Sequence, residues 1–132
     1  MEINYLAVVV AALSGFAVGA VWYGPLLGKQ WMAVTGIKAA DIADSNFPRI
    51  YGVTLLMSVV AAVVLEQLVK RFDANTVREG ATLGALLWLG FIVTVRVTEA
   101  MFNRTSMRLV LIDSGHRLIW AVVMGIILAV WH

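Results

Sequence analysis

Leu109–Trp131 reads LVLIDSGHRLIWAVVMGIILAVW, and this stretch decides the fold. As a helix it would reach roughly 34 Å, enough to cross a hydrocarbon core of about 30 Å. Its second half is continuously apolar, yet Asp113, His116 and Arg117 stand inside the first half. A charge at bilayer depth costs at least ~2.5 kcal/mol on insertion scales, so it is usually paired or functional. The stretch therefore predicts a membrane helix that carries a polar site.

The rest of the chain agrees with that class. Of its 132 residues 61% are hydrophobic and only 14% charged, against roughly 45 to 50% apolar and about 25% charged in a typical soluble domain. Three more apolar runs approach the ~20 residues that a span needs: residues 3–23, 50–69 and 80–102, besides 109–131. The expected fold is an all-α membrane protein, a single transmembrane domain over residues 1–132. Short connections make its four helices two antiparallel hairpins. A cleaved signal peptide is the rival reading of the first run, but its leading segment carries Glu2 and no Lys or Arg.

The first run ends in Trp22-Tyr23-Gly24-Pro25, aromatics and a helix breaker that mark a membrane exit. Trp22, Tyr23, Lys29, Trp31 and Trp131 are the expected interface anchors. Ile37 to Asp44 shows weak helical alternation, which leaves room for a short interfacial helix between the first two spans. Asn46-Phe47-Pro48 reads as a cap and first-turn proline for the second span. Glu66, near the end of that span, is expected to reach the headgroups.

The third span holds Arg96 and Glu99. Counted from the turn it shares with the fourth, Glu99 and Asp113 lie about one helical turn inside, and Arg96, His116 and Arg117 roughly 9 to 12 Å deep. All five fall in one half of the membrane. Pairs three or four apart share a helix face, so pairing within each helix is available, as is cross-helix pairing of Arg96 with Asp113 and Arg117 with Glu99. The charges cancel if His116 is neutral, and a paired, hydrogen-bonded set roughly breaks even where a lone buried charge would not. The cluster either locks helix packing or serves a solute, ion or proton. His116 is the residue suited to titrate near neutrality, and the two arginines are suited to an anion.

Other chemistries find little support. The chain has no cysteine, which removes thiolate metal sites and cysteine nucleophiles. Glu99, Asp113 and His116 would make three metal ligands, but they follow no metal motif and stand beside arginines that repel a cation. We expect no catalysis, no cofactor and no bound metal. The net charge of +2 is dispersed, which argues for topology signals over nucleic-acid binding.

Gly15 and Gly19 form a GxxxG element, and Gly80 and Gly84 repeat the spacing. Such pairs bring helices close in lipid, within one monomer or across a dimer. The expected partners are membrane lipids, a second copy of the chain with a dimer favoured, and a small solute or ion. Lys29, Lys38, Arg49, Arg104 and Arg108 share one face, and Lys70, Arg71 and Arg78 the other. That bias places both termini outside, in a bacterial inner membrane, while leaving dual insertion open.

The run Trp22 to Met32 (WYGPLLGKQWM), with Tyr51-Gly52, Gly90-Phe91 and Met124-Gly125 to Ala129-Val130-Trp131, resembles the domain of unknown function 1761 family of small bacterial and fungal membrane proteins. The resemblance covers nearly the whole chain. It implies four transmembrane helices and supplies no activity or site residues. Size and helix count are also similar to small multidrug exporters and fluoride channels, dimers of four-helix subunits. Those exporters carry a carboxylate midway along their first helix, whereas here that helix has no ionisable residue beyond Glu2, so the likeness is one of architecture.

Overall fold

The computed structural model describes residues 3–38 and 47–131. Helix α1 (Tyr5–Val21) starts at Asn4, whose side chain caps it by accepting from the Ala7 amide at 3.1 Å. It runs on into a π-helical turn, Trp22–Leu26, that contains Pro25. Proline has no N–H to continue the α pattern, and the wider turn closes instead with Leu27 N donating to Trp22 O, 2.8 Å. Helix α2 (Gly28–Thr35) follows at once and stops at Gly36, whose φ of 75° suits glycine.

Helix α3 (Phe47–Arg71) ends in Lys70 and Arg71, where cations favour the helix dipole. Asp73 turns the chain at φ 52°. Thr76 then caps α4 (Val77–Leu87) by accepting from Glu79 N at 3.1 Å. A second π-helical segment, Trp88–Val93, links α4 to α5 (Thr94–Asn103), which Arg104 ends in the left-handed region. Ser106 caps the last helix, α6 (Met107–Val130). Joined across their π segments, these elements give four helices long and apolar enough to span a membrane: Tyr5–Leu26, Pro48–Arg71, Val77–Asn103 and Met107–Val130. Each end falls within three residues of the boundary expected from the sequence.

The expected interfacial helix, over residues 37–44, falls largely outside the described residues. Ile37 and Lys38 are not helical, and residues 39–44 lie outside the described part, as does the expected cap Asn46. Among the described residues, the helix between the first two spans is α2, which covers Lys29 to Trp31.

Helix α6 is the hub, packing against the first, second and third spans, while the first and second spans also pack on each other. The third span attaches chiefly to α6, and its outer face carries Phe91, Val95, Met101 and Phe102 in the open, as a lipid-facing surface should. Glycines allow the closest approach. A Cβ on Gly80 would strike the Gly125 carbonyl, and one on Gly84 the Ala121 carbonyl. Gly15 faces Trp120 and Met124, so both small-residue pairs are engaged with α6 inside the monomer. An alanine-rich core, including Ala7, Ala11, Ala12, Ala62 and Ala129, packs the half near the termini, and Ser58 ties the second span to the first by donating to Ala12 O at 3.1 Å.

Candidate functional site: two polar clusters at opposite ends of the bundle

At the end of the bundle that holds α2 and the turn before α6, the sites on α6 are gripped from both sides. Each π-helical segment opens with a tryptophan: Trp22 donates its indole N–H to Ile112 O at 3.0 Å, and Trp88 donates to Ser114 O at 2.8 Å. Between those two carbonyls lies Asp113. Its Oδ1 accepts from Tyr23 OH at 2.7 Å and its Oδ2 from Arg96 Nη2 at 3.1 Å. One carboxylate thus joins three spans, and both side chains of the ion pair are largely buried. A charge-assisted pair with a third donor is the arrangement that makes such burial tolerable.

Gly115 leaves room for the Trp22 ring, since a Cβ there would come 2.9 Å from Cζ2. His116 packs edge-on to Tyr23 with ring centroids 5.0 Å apart, and a Cβ on Gly19 would come 3.2 Å from His116 Nε2. Tyr23 also meets Trp31 of α2, at 6.1 Å. Three polar atoms of this region are buried with no hydrogen-bond partner among the described residues: Arg96 Nε, Ser114 Oγ and His116 Nε2.

The five charged candidates are therefore only partly assembled. Arg96 and Asp113 pair across helices, and neither intrahelical pair forms among the described residues. Arg117 is half-buried without an ion-pair partner there. Glu99 points away: Arg96 and Ala100 flank the seam with α6, and Glu99 lies about 60° to the other side of Arg96 on the helix. It is exposed beside Thr94, Val95 and Thr98. Glu99, Asp113 and His116 do not converge, and no three acidic or histidine side chains gather into a metal site among the described residues. Trp22 and Tyr23, expected at the interface, turn inward onto α6, while Lys29 and Trp131 are exposed and Trp31 is half-buried.

The opposite end holds a second polar cluster, around Glu66. Glu66 does not reach outward but is 2% exposed. Its Oε1 accepts from the backbone N–H of Asn4 and from Lys70 Nζ, both at 2.8 Å, while Oε2 has no partner among the described residues. Asn4 also donates to Trp131 O at 3.4 Å. A cavity of about 480 Å³ opens beside these groups. Two signals in the sequence pointed here: the i,i+4 spacing of Glu66 and Lys70 inside an apolar run, and Asn4 as the polar residue at the start of the first span.

Fold and buried polar chemistry together define the class, an all-helical membrane protein of four spans with charged groups held between them. Residues 6–129 match the family model described as protein of unknown function (DUF1761), and the chain belongs to that family. No curated protein and no solved structure matches it.

Proposed function

We propose that this chain is a conduit component for a small solute or ion, held shut at its α2 end by Tyr23, Arg96 and Asp113. The unmet hydrogen bonds of Arg96 Nε, Ser114 Oγ and His116 Nε2 carry the reading. Each buried, unpartnered polar atom costs ~1–3 kcal/mol. Water or a solute admitted from the α2 end would find a polar atom to bond at each of the three. In this reading Asp113 and His116 handle the cation or proton, with Arg96 and Arg117 as counter-charges. The protein acts as no enzyme. It sits in a bacterial inner membrane with both termini outside, and a second copy covers the outward Thr94, Thr98 and Glu99 row, which would otherwise face lipid.

A structural or accessory role is the second reading. Favouring it, both Asp113 oxygens are engaged and the pair ties three spans together. Flux separates the two. Proteoliposomes carrying the Tyr23→Phe variant, which keeps the ring and loses the latch, should pass small ions faster than those carrying the unmodified protein. Flux equal to that of protein-free liposomes in both cases would leave only the lock.

A further inference from the structure

The two π-helical segments differ in what holds them open. Trp22–Leu26 contains Pro25, which has no N–H with which to close an α turn, so the chain itself fixes that wide turn. Trp88–Val93 has no proline. Its Leu89, Gly90 and Phe91 are exposed, and a Cβ on Gly90 would meet nothing within 4 Å, so packing does not hold the middle of the segment either. What fixes its register lies beyond it. Helix α5 buries only Arg96 and Ala100, and Arg96 is held by Asp113.

A π turn winds one residue more than an α turn. Rewound as α-helix, the segment turns α5 by about 100° and advances it about 1.5 Å, so that each residue moves into the place its successor now holds. Trp88, at the start of the segment, keeps its bond to Ser114 O. Beyond it Arg96 moves to the exposed place of Val97, Val95 to the buried place of Arg96, and Glu99 to the buried place of Ala100. We infer that Trp88–Val93 is a register switch, whose rewinding withdraws Arg96 from Asp113 and turns Glu99 onto the seam with α6. The switched seam carries two carboxylates about one helical turn apart and no arginine from α5. A cation entering from the α2 end therefore binds the switched register better than the resting one, the difference a ligand needs in order to shift the equilibrium. As an opening step this rests on the conduit reading; the rotation itself does not.

The test places a spin label on Val95→Cys, in a chain with no other cysteine, and follows it in proteoliposomes. Val95 is 60% exposed at rest, so a mobile, lipid-facing label is expected. Asp113→Asn gives up the ion pair and should add an immobilised component, because position 95 then enters a place that already holds a side chain as long as arginine. Deleting Gly90 should remove that component. The deletion takes out the extra residue, so Trp88 and Arg96 keep their present places on an unbroken α-helix. In K⁺ flux, the Tyr23→Phe protein should lose about tenfold or more when Gly90 is deleted, since flux follows the population of the switched register, and Glu99→Gln should lower it less. No immobilised component in Asp113→Asn, its persistence without Gly90, or Tyr23→Phe flux that the deletion leaves unchanged would overturn the switch. If the deletion variant does not fold, the Asp113→Asn spectrum decides alone. Label immobilisation without flux in any variant would support the switch and remove the conduit reading.

Discussion

Arg96–Asp113 and Glu66–Lys70 are both buried or half-buried ion pairs within the bundle, yet they are built to opposite ends. The first crosses between helices, engages both carboxylate oxygens and draws Tyr23 into the same network. The second lies within one helix, leaves Oε2 without a partner and borders a cavity. Lys70 keeps a third of its side chain exposed, whereas Arg96 keeps a tenth. Solvent can therefore compensate a broken pair at one end and not at the other. The contrast teaches that the cost of a buried carboxylate depends on where its partner goes when the pair is broken.

That contrast orders the expected effects of substitution. Arg96→Met strands Asp113 among three spans and should cost about 3 to 5 kcal/mol in detergent unfolding experiments. Changing Arg96→Met and Asp113→Leu together should cost less than the sum of the two single changes; strict additivity would mean that the pair does not couple the helices. Glu66→Gln should cost less, about 1 to 2 kcal/mol, because Lys70 can turn to water; a loss as large as that of Arg96→Met would erase the distinction between the two ends. Trp22→Phe removes one indole donor while keeping most of the ring, so about 1 kcal/mol is expected from thermal melts. Glu99→Gln, on the outward face, should stay within about 0.5 kcal/mol, and a larger loss from the monomeric protein would show that Glu99 does belong to the network.

Much of this was legible from residue patterns. Apolar runs of membrane length located all four spans, because bilayer thickness imposes one length on every helix that crosses it. The direct packing of the last hairpin followed from a short turn. The five charged residues were found as a set, but spacing alone could not choose between Arg96–Glu99 and Arg96–Asp113. The choice rests on which face of α5 meets α6, and Gly80 and Gly84 set that face by docking α4 on Gly125 and Ala121. For Trp22 and Tyr23 the inward hydrogen bonds were not legible, because an aromatic at a span end suits an interface as well as an inward bond. The π-helical turn around Pro25 accompanies the inward choice, and no periodicity argument reveals it. Glu66 was misplaced for a related reason: distance from the helix end suggested the headgroups, while Asn4, more than sixty residues away in sequence, holds it inside.

The central claim is that the Tyr23–Asp113–Arg96 network closes a water-accessible path and is not merely a packing lock. Ser114→Cys tests it most directly. The chain has no other cysteine, Ser114 Oγ is buried and unpartnered among the described residues, and a thiol reacts appreciably only where water lets it ionise. With a membrane-impermeant maleimide applied to intact vesicles, labelling is expected from the α2 side alone, slow in the otherwise unchanged protein and faster when Tyr23→Phe is added. Protection from both sides in both backgrounds, in protein that remains folded, would contradict it.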